Sequence, residues 1–89
     1  MSRNVQPNAI RPWKEALERA GRLTARESEV FDALGNGLSN AQIANALAIS
    51  ERTVKFHISE IRAKLGLESR LQIGIVSCIR TLDSVGPPS

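Results

Sequence analysis

The chain has 89 residues, 42% hydrophobic but only 3% aromatic, and a net charge of +3 at pH 7. That length allows one domain with a modest aliphatic core, and so few aromatic rings argue against single-stranded nucleic acid, where base stacking carries much of the binding. The lone cysteine, Cys78, excludes an intramolecular disulfide and a cysteine metal cluster, and no apolar run approaches the ~20 residues of a membrane span.

With no signal-peptide pattern, a cytoplasmic location is expected. The charge is unevenly placed. Residues 23–36 set Arg26 against Glu27, Glu29 and Asp32. Residues 52–70 set Arg52, Lys55, Arg62, Lys64 and Arg70 against Glu60 and Glu68. The middle of the chain therefore favours a polyanionic partner.

Residues 1–22 are expected to form an arm or linker carrying one short helix. Met1 to Arg11 is polar, interrupted by Pro7 and without period, so it reads as unstructured. Pro12 at the first helical position and Gly21 just past the end bracket the helix. Trp13, Ala16, Leu17 and Ala20 share one face of it. That face either covers an edge of the core, with Trp13 as anchor, or belongs to a linker or an extra dimer contact.

The main domain is expected over residues 23–82, all-α and built of four helices. Thr24-Ala25-Arg26-Glu27 is a capping box, with Thr at the N-cap and Glu at N3. Val30, Phe31 and Leu34 form the apolar face behind it, and Gly35-Asn36-Gly37 ends the helix. Ser39-Asn40-Ala41-Gln42 is a second capping box, with Leu38 and Ile43 placed as a hydrophobic staple. Ile43, Ala44 and Leu47 face inward, and the small Ala44 admits a close helix crossing. Only Ala48 to Ser50 separate this helix from the next, a spacing that predicts a helix-turn-helix. Ala48 occupies the turn position where a left-handed backbone is expected.

Ser50 reads as the N-cap of a helix over 51–65, with Ile49 and Val54 as its staple. Val54, Ile58, Ile61 and Leu65 make one apolar stripe, and Gly66 stops the helix. At about 100° per residue, Arg52, Lys55, Phe56, Ser59 and Ala63 lie opposite that stripe. An apolar back with a basic, small-polar front suits the DNA major groove. An ordinary solvated surface helix is the competing reading.

Ser69-Arg70-Leu71-Gln72 is a third capping box and opens a helix over 69–82. Leu71, Ile75, Cys78 and Leu82 form one stripe, while Ile73 and Val76 lie well round from it. One side must pack on the core and the other must meet something else. We expect a self-complementary dimer contact involving Ile73, Val76, Leu71 and Ile75, with Ile73 and Val76 on the second face. The alternative is that Ile73 and Val76 belong to a wide core face. Residues 83–89, with Pro87-Pro88, are expected to be a disordered tail.

Residues 23–77 resemble the DNA-binding domain of the LuxR family of bacterial transcription regulators. The resemblance rests on L-T-x-R-E at Leu23 to Glu27, Glu29-Val30, G-L-S-N at Gly37 to Asn40 and Ile43-Ala44. It continues with I-S-x-x-T-V-K-x-H at Ile49 to His57, K-L-G at Lys64 to Gly66 and Ser69-Arg70. It implies four helices, the third for recognition and the fourth for dimer contact. It also implies double-stranded promoter DNA as ligand, a homodimer, and RNA polymerase as a further partner. By position, Lys55, Phe56 and Ser59 match base-contacting sites. Thr53 and Lys64 match phosphate-contacting sites, with Asn40 a weaker candidate. Arg52 and Arg62 are added from the helical wheel and their charge. Phe56 departs from the small or aliphatic residue usual there, and Ile73-Gly74 replaces a small-then-branched pair. The chain is expected to be a stand-alone regulator or the output domain of a longer one.

No enzyme chemistry or cofactor is expected. His57 is the only histidine and has no carboxylate spaced to join it. Ser50 and Ser69 are caps, not nucleophiles. Two other readings stay open. One is region 4 of a sigma factor, which shares the L-T-x-R-E and I-S-x-x-T-V segments. The other is a protein-interaction module that pairs with another regulator through the last helix.

Overall fold

The computed structural model describes the backbone of residues 7–85 and the side chains of residues 13–82. Among the described residues five α-helices follow one another: α1 (Pro7–Arg19), α2 (Ala25–Gly35), α3 (Asn40–Leu47), α4 (Glu51–Leu65) and α5 (Arg70–Val85). A 3₁₀ turn, Ala20–Arg22, joins α1 to the rest. Among the described residues there is no strand, and no helix is long and apolar enough to cross a membrane.

The helix starts are made as their sequences dictate. The Thr24 hydroxyl accepts from the Glu27 N–H at 3.1 Å, and the Glu27 carboxylate accepts from the Thr24 N–H at 2.9 Å. Ser39 and Gln42 repeat this at 3.1 and 2.8 Å, and Ser69 and Gln72 at 3.2 Å each way. Ser50 accepts from the Thr53 N–H at 3.0 Å. Each cap satisfies donors that the first turn leaves without partners.

Three helix ends share one device. After α2, α3 and α4 the chain turns left-handed, at Gly37 (φ 79), Ala48 (φ 58) and Gly66 (φ 69). In each case the next residue's N–H returns to a carbonyl of the last turn: Leu38 to Ala33, Ile49 to Ala44, Leu67 to Arg62. Glycine makes that turn freely in two of the three. Ala48 makes it against its own Cβ, at a cost of about 1 kcal/mol.

The core is aliphatic around Phe31. Val30, Phe31 and Leu34 of α2 meet Ile43 and Ala44 of α3, Val54, Ile61 and Leu65 of α4, and Ile73 and Val76 of α5. α2 and α5 approach very closely. A Cβ on Gly35 would stand 2.3 Å from the Ser77 hydroxyl oxygen, and one on Gly74 3.2 Å from the Leu34 carbonyl oxygen. Glycine on each helix makes that approach possible. The hydroxyl of Ser77 is buried there with no hydrogen-bond partner among the described residues.

Three expectations are corrected. The first helix begins at Pro7, not Pro12, so residues 7–11 expected in the arm are helical and Gly21 lies in the 3₁₀ turn. Its inner face is as expected: Ala16 and Ala20 are buried, with Trp13 and Leu17 packed against the core. The last helix runs on to Val85, so residues 83–85 are not tail. Residues 1–6 and 86–89 of the expected arm and tail lie outside the described residues. Finally, Ile73 and Val76 are completely buried, whereas Leu71 and Ile75 are 72% and 40% exposed. The two sides of α5 are thus reversed. Ile73 and Val76 belong to the core and are removed from the dimer-contact set, because α2 crosses on the side where Gly74 and Ser77 leave room.

Candidate nucleic-acid interface

α3 packs across α4, and Ala48-Ile49-Ser50 is all that joins them. α4 buries Val54, Ile61 and Leu65, with Ile58 packed at the edge of the core. The opposite face is therefore turned to solvent. Arg52, Lys55, Phe56, Ser59 and Arg62 are all exposed on it or its flank, and Thr53 is half-buried. Among the described residues Arg52, Lys55 and Arg62 form no ion pair. Their charges stay available for an anion. Thr53 is partly engaged, its hydroxyl lying 2.9 Å from that of Ser50.

Phe56 is 60% exposed in the middle of this basic face. Its ring meets the edge of His57, with centroids 5.8 Å apart at 62°. His57 packs beside the ring, half-buried.

Two of the expected anion contacts are already engaged within the domain. The Lys64 amine lies 2.8 and 2.9 Å from the two oxygens of Glu27. Glu27 is only 5% exposed. Burial pushes its carboxyl pKa up, but the hydrogen bond from Lys64, the Thr24 N–H and the Lys64 charge together outweigh that and hold it below its ordinary value. Asn40, at the start of α3, accepts from the guanidinium of Arg70, which also donates to the Leu38 carbonyl at 2.7 Å. Its side-chain amide nitrogen is free of that bond.

Arg70 and the second role of Glu27 are absent from the sequence-based set. Neither has a local signal. Lys64 and Glu27 lie 37 residues apart and Arg70 and Asn40 lie 30 apart, so only the packed fold brings them together.

On its own outward face α5 presents Leu71, Ile75, Ile79 and Leu82, from 37% to 73% exposed. An open groove beside it is lined by Leu34, Leu38, Gly74 and Cys78. Apolar surface of this kind, in line along one helix, is unusual on a small domain.

Residues 21–77 match the model of the bacterial regulatory proteins of the luxR family. The chain is similar to the uncharacterized transcriptional regulatory protein YhcZ of Bacillus subtilis (strain 168), 47% identical over 79 residues, or 84% of this chain and 37% of YhcZ. It is 51% identical to the transcriptional regulatory protein LnrK of the same organism over 79% of this chain and 30% of LnrK. It is 50% identical to the nitrate/nitrite response regulator protein NarP of Escherichia coli (strain K12), over 61% of this chain and 25% of NarP. The chain thus spans well under half the length of each of these relatives.

Proposed function

The chain belongs to the LuxR family of bacterial regulatory proteins, and from that premise we propose that it binds double-stranded promoter DNA sequence-specifically and regulates transcription. α4 is the recognition helix. The observation that carries this is its outward face, where Arg52, Lys55 and Arg62 stand exposed and unpaired among the described residues. Lys55 reaches guanine O6 and N7 from that face. Phe56 meets the methyl group of thymine, and Ser59 reads a neighbouring base edge. Arg52, Arg62 and Thr53 neutralise or bond phosphate, with Asn40 contributing through its free amide. Phosphate contacts set the register and base contacts set the sequence.

The protein acts as a homodimer through the outer face of α5, with Leu71, Ile75, Ile79 and Leu82 as the contact. Half-sites then lie about one helical turn, ~34 Å, apart. RNA polymerase is the partner that would read out such a complex. Family membership leaves the sigma-factor region 4 alternative without support.

The test is a titration of fluorescently labelled duplexes, one selected from a random library and one of random sequence, across a salt series. Affinity for both should fall steeply with salt, and the selected duplex should bind much more tightly. No binding to any duplex at low salt would instead favour a protein-interaction module working through α5.

A further inference from the structure

Lys64 lies at the end of α4 and Glu27 at the start of α2. One carboxylate accepts three hydrogen bonds from two groups: its Oε1 accepts from the Thr24 N–H at 2.9 Å and from the Lys64 amine at 2.8 Å, and its Oε2 accepts from the same amine at 2.9 Å. The carboxylate is almost wholly buried, with a side-chain exposure of 6%, while the Lys64 side chain is 41% exposed. Turning about 100° per residue, Lys64 stands on the flank of α4 opposite Lys55. Lys55 is exposed without a partner among the described residues. Lys64 is held against the scaffold. To reach a phosphate it would have to abandon a buried carboxylate, and an unpaired buried charge is strongly unfavourable.

We infer that Lys64 is a positioning residue for DNA recognition and not a phosphate ligand: with Glu27 it latches the end of α4 to the start of α2 and so fixes the angle at which Lys55, Phe56 and Ser59 are presented. This rests on the proposed DNA-binding role of α4. The capping box adds to the latch, because Glu27 is itself held at the first turn of α2 by Thr24. The recognition helix is thereby pinned at both ends, by the Ser50 cap and the short turn at its start and by this ion pair at its finish. Base readout demands such alignment, whereas the general electrostatic attraction that supplies non-specific binding depends on it less.

The two roles leave different marks on salt dependence and on discrimination. Lys64→Met and Glu27→Gln are titrated against the selected and the random duplex across a salt series, well below each variant's melting point. Glu27→Gln keeps an acceptor for the Thr24 N–H, so its helix cap survives. Both variants should bind the selected duplex about tenfold more weakly, the worth of roughly one base contact. Both should bind random duplex almost as before, and Lys64→Met should keep the wild-type salt slope. Lys64→Arg, which can still pair with Glu27, should recover most of the discrimination.

Equal losses on both duplexes for Lys64→Met, with a salt slope smaller by about 0.9, would make Lys64 a phosphate contact and overturn the inference. So would Glu27→Gln binding both duplexes more tightly, as expected of a lysine set free for phosphate. Unchanged discrimination in both variants overturns it as well. If the wild type binds neither duplex at low salt, the DNA-binding role itself falls and takes this inference with it, an outcome the wild-type arm alone identifies.

Discussion

α4 and α5 are built alike and finished differently. Each begins at a serine cap. Each lays buried aliphatic residues on the core, Val54 and Ile61 from one, Ile73 and Val76 from the other. Outward, α4 shows Arg52, Lys55, Ser59 and Arg62 around one exposed ring, while α5 shows Leu71, Ile75, Ile79 and Leu82. The inner faces could be exchanged with little change of chemistry. The outer faces could not, since one suits a polyanion and the other an apolar partner. In this fold the core-facing half of a helix specifies the architecture, and the solvent-facing half divides the labour.

The comparison can be broken most forcefully on α5 itself. Val76→Glu places a charge in the core and should unfold the domain, costing more than about 4 kcal/mol. Ile75→Glu, one residue away on the outer face, should leave the melting temperature nearly unchanged and weaken self-association in sedimentation. If Val76→Glu stays folded, or if Ile75→Glu unfolds the domain, the two sides of α5 are wrongly assigned.

On α4, Lys55→Ala should cost roughly 1–3 kcal/mol on a selected duplex and much less on random DNA. Melting should be unaffected. Equal losses on the two duplexes would make Lys55 another phosphate contact and move the sequence reading to Phe56, Ser59 and Arg52.

Acid sharpens the contrast through the ion pair that ties the end of α4 to the start of α2. The Glu27 carboxyl titrates below its ordinary value of 4.5 in the folded domain. Its contribution to stability is therefore complete above the unfolded value and is lost as pH falls through the folded one. Melting curves of wild type and Glu27→Gln should differ at neutral pH and converge in acid below that value. A gap that persists unchanged to low pH would show that the Glu27 charge is not the source of the difference.

Thr24→Ala supplies a control that touches neither outward face. It should cost on the order of 1 kcal/mol through its lost hydroxyl cap, with DNA affinity intact well below the melting point, because the backbone N–H that holds the Glu27 carboxylate in the latch remains. An affinity loss with an unchanged melting curve would contradict that placement. The smallest effect is expected at the turn between α3 and α4. Ala48→Gly should be neutral or stabilise by less than about 1 kcal/mol, since it removes the Cβ from a left-handed position. Clear destabilisation by thermal melting would mean that the turn does not keep φ 58 in solution.

What was legible in the sequence was whatever acts over a few residues. The capping boxes at Thr24, Ser39 and Ser69, the cap at Ser50, the left-handed turn at Ala48 and the stop at Gly66 are all present as the residue types imply. The stripe on α4 was clear because only one of its faces is apolar. α5 is apolar on both sides, so periodicity located two stripes without telling which one faces inward. The available clue was size. Gly74 and Ser77 stand beside Ile73 and Val76, and it is there that α2 comes close. The start of α1 is not legible because two prolines compete for the first turn, and the earlier one takes it. Glu27 with Lys64, and Arg70 with Asn40, had no local trace, because both pairs exist only after the helices pack.

The docking of α1 has an optical consequence. Trp13 is the only tryptophan in a chain that has no tyrosine, and it rests half-buried where α1 meets the core. The intrinsic fluorescence of the whole domain is therefore a report from one seam. Far-ultraviolet circular dichroism reports all five helices together. If both signals follow one denaturation curve, α1 melts as part of a single cooperative unit. If the fluorescence shifts first, α1 lifts away from a domain that remains folded, and its detachment can be followed without adding any label.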